Sequence, residues 1–129
     1  MLADAEVIGF IPVRSIESAT QFYCGLLGLP IVRNDGFALV LSARGIKLRC
    51  VAVSDHTPQP FTIFGWEVDD VNVAVRELGL AGIPSLRYQS LAQDEDGVWT
   101  APDGSKVAWF NDPDGNILSV SHHAPEVHG

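Results

Sequence analysis

The chain has 129 residues, of which 47% are hydrophobic and 19% charged, an ordinary globular balance and enough length for one compact domain with a real core. Its formal net charge of −8 argues against nucleic acid as a partner, because neutralising phosphates supplies most non-specific affinity. No run approaches the ~18 apolar residues of a membrane span, and no basic stretch precedes an apolar segment as in a signal peptide, so a cytoplasmic protein that meets no membrane is expected.

Taken in chain order, the first expected strand is 6–13, rich in β-branched and aromatic residues. Ser15 is placed to cap a helix whose apolar stripe is Ile16, Ala19, Phe22, Tyr23, Leu26 and Leu27. Gly28 suits the left-handed position past the helix end, and Pro30 forbids continuation. Strands are then expected at 29–33, 37–42 and 46–53, separated by Asn34-Asp35-Gly36 and Ala43-Arg44-Gly45. The segment 54–60 carries two prolines and polar residues and reads as a linker.

The pattern then begins again. A strand at 61–68 leads to Asp70 as cap and to a helix with Val71, Ala74, Val75 and Leu78 on one face, ended by Gly82 and Pro84. Val13 to Ala19 matches Val68 to Ala74 at an offset of 55, and Gly28-Leu29-Pro30 matches Gly82-Ile83-Pro84 at 54. Such self-similarity points to a duplicated unit. Further strands are expected at 85–90, 98–101, 106–110 and 116–122. Pro102-Asp103-Gly104 and Pro113-Asp114-Gly115 supply tight turns, with Pro presetting φ and Gly taking the left-handed position that follows. The acidic run Asp94-Glu95-Asp96 reads as a solvated loop. The organisation is therefore a single domain over 1–129, with a first βαβββ module at 6–53, a linker at 54–60 and a second module at 61–123.

The two cysteines, Cys24 and Cys50, show no zinc-ligand spacing and read as reduced thiols, with a disulfide or a reactive Cys24 as the alternative.

The duplicated βαβββ plan joins two local motifs: Phe22-Tyr23-Cys24-Gly25-Leu26-Leu27-Gly28-Leu29 at the first helix end, and Trp109-Phe110-Asn111-Asp112-Pro113-Asp114-Gly115-Asn116 in the last hairpin. In this combination the chain resembles the vicinal oxygen chelate superfamily, which includes glyoxalase I, bleomycin-resistance proteins and extradiol dioxygenases. The resemblance runs from about Glu6 to His122. It implies an α+β fold in which two βαβββ modules form curled mixed sheets around a central cavity, within one chain or across a homodimer. It also implies metal-ligand positions, which carried over residue by residue fall on Ile8, Arg49, Ile63 and Ser119. Two isoleucines offer no donor atoms and Arg carries its own positive charge, so neither a metal nor another cofactor is expected.

Alternation along the strands extends the expected cavity lining. Ile8, Phe10 and Pro12 share the cavity face of the first strand, and Lys47, Arg49 and Val51 that of the fourth. Ile63, Gly65 and Glu67 follow in the second module, with Val107, Trp109, Ile117, Ser119 and Ser121 on the last hairpin and His123 next in that alternation. Arg49 binds an anionic group of a ligand or forms a structural ion pair with Glu67 or another carboxylate. Glu67 serves as a general base if apolar walls raise its pKa, or sits in solvent at the mouth. Trp109 stacks on a planar ligand or fills the core. His122 and His123 point to opposite faces and read as rim histidines, while His56 and His128 show no partners in the sequence. No residue is assigned as catalytic. The function expected from these residues is glyoxalase- or bleomycin-resistance-like binding of a small organic molecule in a metal-free cavity. The alternative is a glyoxalase-like lyase or isomerase with a displaced metal site or metal-independent acid–base chemistry.

Overall fold

The computed structural model describes residues 1–125; His128 lies outside them. Strand β1 (Ile8–Val13) leads into α1 (Ile16–Ala19), which continues without a break as a π-helical segment (Thr20–Leu26). Strands β2 (Ile31–Asn34), β3 (Ala38–Ala43) and β4 (Ile46–Ala52) follow. The second round consists of β5 (Thr62–Glu67), α2 (Val71–Leu80), β6 (Trp99–Thr100), β7 (Lys106–Asn111) and β8 (Ile117–His122). Each round builds one open four-stranded mixed sheet, in the orders β1-β4-β3-β2 and β5-β8-β7-β6. The first strand of each pairs in parallel with the last, and the other pairs are antiparallel. A parallel partner cannot be reached by a tight turn, so the intervening helix is part of the crossover. The chain divides into two compact units, Met1–Pro58 and the remainder from Gln59.

Both caps form as the sequence predicts. Ser15 Oγ accepts from the Ser18 N–H at 3.2 Å, and Asp70 Oδ1 from the Val73 N–H at 3.2 Å. In the first unit Ile11, Val13, Ala19, Phe22, Tyr23, Leu39, Leu41, Leu48 and Cys50 are buried. Phe22 and Tyr23 meet edge to face at 5.0 Å. Leu26 departs from the expected stripe and is 51% exposed. The cause is the wider winding: the Leu27 N–H bonds to the Phe22 carbonyl, five residues back, so the apolar face drifts out of its 3.6-residue phase. In the second unit Val71, Val75, Ile83, Val98, Ala108, Phe110, Leu118 and Val120 form the core, and Trp66 stacks on Phe110 at 6.1 Å.

The segment 85–90 is not a strand. Its backbone is tied by one side chain instead: Gln93 accepts from the Tyr88 N–H at 2.7 Å and donates to the Leu86 and Gly97 carbonyls. The Leu86 N–H in turn donates to the Trp109 carbonyl at 2.7 Å. The acidic run that follows is fastened rather than merely solvated. Asn72 donates to both Asp94 and Asp96, and Arg76 Nη2 lies 3.0 Å from Asp96 Oδ2.

The two Pro-Asp-Gly turns close as expected, with Gly104 at φ 90° and Gly115 at φ 84°. In the second turn the buried Asp112 holds the loop together. Its Oδ1 accepts from the Asp114 and Asn116 N–H groups and its Oδ2 from Asn116 Nδ2, each at 2.9 Å. Asp112→Ala strands these buried donors, so chemical denaturation should show a loss of about 1–3 kcal/mol for each group left unsatisfied.

Candidate functional site

Because one helix covers one face of each sheet, the opposite face carries whatever the strand alternation leaves there. In the first unit the register sets Phe10 of β1, Arg49 of β4, Val40 of β3 and Arg33 of β2 in one row across the sheet. Ile8, Lys47 and Ser42 form the row beside it. Ile8, Val32, Arg33, Val40, Lys47 and Arg49 line a pocket of about 300 Å³. Val32 and Arg33 are consecutive and would alternate on a regular strand. A bulge between Ile31 and Arg33 brings both to the pocket.

The three cations of this pocket differ in their partners. Lys47 Nζ is 2.8 Å from Glu6 Oε2, and Arg33 Nη2 is 3.9 Å from Asp35 Oδ2. Asp35 is mainly occupied elsewhere, its Oδ1 accepting from the Ala38 N–H at 2.9 Å and the Phe37 N–H at 3.0 Å. Those two bonds, aided by the charges of Arg33 and Arg49, hold its carboxyl below the usual range. Among the described residues the Arg49 side chain makes no hydrogen bond or ion pair. Phe10, 65% exposed, and the half-buried Pro12 belong to the same strand alternation but do not line the pocket.

In the second unit Glu67, Ser121, Val107 and Trp99 form one cross-strand row, and Gly65, Ser119 and Trp109 the next, with Ile117 beyond them. Gly65 is required there, because a Cβ would run into the Ser119 hydroxyl and carbonyl. Ile63 stands in a bulge of β5, without a register partner in β8. Trp109 meets Tyr88 edge to face at 5.3 Å and Trp99 at 6.5 Å. Glu67 is exposed, and its Oε1 accepts from the His123 backbone N–H at 3.2 Å and faces His123 Nδ1 at 3.0 Å. These contacts hold its carboxyl below the usual range, the reverse of what a general base needs. His122 Nδ1 lies 2.9 Å from the Val68 carbonyl, so the two histidines do take different partners.

Of the residues expected to line a cavity, Ile8, Phe10, Pro12 and Arg49 therefore belong to the first unit. Ile63, Glu67, Val107, Trp109, Ile117, Ser119 and Ser121 belong to the second. Sequence reading passes over Val40 and Trp99, which the same alternation would have found beside the buried Leu39, Leu41 and Val98. Tyr88 and Arg33 carry no such signal, since one sits in an irregular loop and the other beside a bulge. At the four carried-over metal positions the side chains are those of Ile8, Arg49, Ile63 and Ser119. Among the described residues no group of three or more His, Cys, Asp or Glu could hold a metal ion. The donor set does not fit a divalent ion there.

Because the folded state holds Glu67 in its charged form, the stability it adds is present above its unfolded titration range. That stability is lost as pH falls through the lowered folded value. A carboxyl-detected NMR titration should find the Glu67 midpoint depressed. His123→Ala keeps the backbone N–H, the leading cause, so it should move the midpoint back only part of the way.

Residues 6–120 match the family model of the Glyoxalase/Bleomycin resistance protein/Dioxygenase superfamily. No curated protein matches the sequence. Among solved structures, a glyoxalase/bleomycin resistance protein/dioxygenase from Alicyclobacillus acidocaldarius is similar with a TM-score of 0.71 and 20% identity, over 95% of this chain and 93% of that one. A lactoylglutathione lyase from Agrobacterium tumefaciens gives 0.70 at 17% identity, over 92% and 93%. A glyoxalase family protein from Enterococcus faecalis gives 0.68 at 18%, over 95% and 100%. At these identities the likeness is one of fold. Among the described residues no helix is long and apolar enough to cross a membrane.

Proposed function

The chain belongs to the Glyoxalase/Bleomycin resistance protein/Dioxygenase superfamily, and we propose that it binds a small organic molecule on the uncovered face of its first sheet, without a metal. The observation that carries this reading is the pocket itself, in which Ile8, Val32 and Val40 offer apolar surface beside an Arg49 whose side chain makes no hydrogen bond or ion pair among the described residues. Apolar walls with a few directed polar groups are the usual make-up of a small-molecule site. The ligand has an apolar or aromatic body and turns an acidic or carbonyl group toward Arg49. Binding without turnover is favoured over a lyase or isomerase because Glu67, the acid–base candidate, is exposed and held in its charged form by His123. A reducing cytoplasmic location is part of the reading, since Cys24 and Cys50 are both free.

A homodimer is also part of it. The edge strand β2 leaves Ile31 and Val32 half exposed, and apolar edges are commonly covered by a second copy.

Calorimetry with 1-naphthoate tests the ligand class. Arg49→Ala should weaken that anion by about 1–3 kcal/mol and leave neutral 2-naphthol unchanged. Equal weakening of both compounds would mean that Arg49 only shapes the pocket.

A native mass spectrum of protein purified with divalent metals present should show a dimer free of bound metal. A monomer carrying one ion per chain would defeat both statements.

A further inference from the structure

Three of the eight lysines and arginines of a chain with net charge −8 line this single pocket. Their placement is also specific. Arg33 and Arg49 occupy one cross-strand row on either side of Val40, two strands apart. That is about 10 Å between backbones at the usual strand spacing, within the reach of two extended arginine side chains meeting above one valine. Regular alternation would have left only one of Val32 and Arg33 on this side; the bulge in β2 delivers both, the valine as wall and the arginine as second arm. Lys47, one row away, is already tied to Glu6 at 2.8 Å. Asp35, the carboxylate next to the two arginines, spends one oxygen on two backbone N–H groups and approaches Arg33 only at 3.9 Å.

We propose that Arg33 and Arg49 form a two-armed clamp for a tetrahedral oxyanion, so that the ligand is an apolar or aromatic molecule bearing a phosphate, phosphonate or sulfonate group. This rests on the small-molecule reading of the same pocket and deepens it. One guanidinium fork takes two of the four in-plane lone-pair sites of a carboxylate, and a second fork is left only the outer sites of that same plane. A tetrahedral group presents a third oxygen out of that plane and accepts from both arms. The surplus positive charge favours an anionic group, and Ile8, Val32 and Val40 take the organic body.

The test is calorimetry on the full chain at low, fixed salt with 1-naphthyl phosphate, 1-naphthoate, 2-naphthol and inorganic phosphate. The wild type should prefer 1-naphthyl phosphate to 1-naphthoate by about tenfold, the order of one further charge-assisted bond. R33Q should erase that preference while sparing 2-naphthol, and R33K, which keeps the charge but loses the fork, should restore only part of it. Arg33 lies exposed on an edge strand, and an unchanged Tm verifies that the variants fold. Equal binding of the two anions by the wild type, or a preference that survives R33Q, overturns the clamp and leaves the small-molecule reading standing. If no naphthalene compound binds, that reading falls and the clamp with it. Inorganic phosphate binding as tightly as the naphthyl ester supports the clamp and removes the organic body.

Discussion

One helix is too narrow to serve both faces of a four-stranded sheet, and among the described residues each half has one continuous helical segment and one such sheet. Everything else follows from which face the helix takes. It covers the side that carries Ile11, Val13, Leu39, Leu41, Leu48 and Cys50 in the first half, and Val98, Ala108, Phe110, Leu118 and Val120 in the second. The other face is committed by strand alternation, residue by residue, to side chains that the core does not need. Those positions are free to carry chemistry, and in this protein they hold arginine, lysine, valine, isoleucine, serine and tryptophan, with the carboxylate Glu67 at the end of its strand.

Much of this was legible in the sequence because it depends on short-range rules. Caps at Ser15 and Asp70, the two Pro-Asp-Gly turns and the parity of β1 and β4 are each set by a few adjacent residues, and each appears where it was expected. The errors fall where a non-local or irregular feature replaces the rule. Residues 85–90 have strand-like composition, but the Gln93 amide takes their backbone groups, which no window around them reveals. Arg33 reaches the pocket beside a bulge, and a bulge breaks the very alternation on which the reading relies. Val40 and Trp99 obey that alternation, standing beside the buried Leu39, Leu41 and Val98, and are legible from it.

The two open faces also differ in kind. The first gathers Arg33, Lys47 and Arg49 around the aliphatic walls of Ile8, Val32 and Val40. The second sets Tyr88, Trp99 and Trp109 together and permits only glycine opposite Ser119. Such a surface is aromatic and uncharged at its centre, with the Glu67–His123 contact at the end of its strand. Duplication has therefore produced two copies of an architecture and two unlike surfaces.

The π-helical segment accounts for the difference in length between the two repeats. Fifteen positions separate Val13 from Gly28, and fourteen separate Val68 from Gly82, although both spans run from the end of a strand to the left-handed glycine after a helix. The second span is an ordinary α-helix, Val71–Leu80; the first widens to i→i+5 bonding over Thr20–Leu26. The extra residue of the first repeat is thus taken up by a looser coil, which keeps the strand before it and the left-handed glycine after it in places equivalent to those of the second.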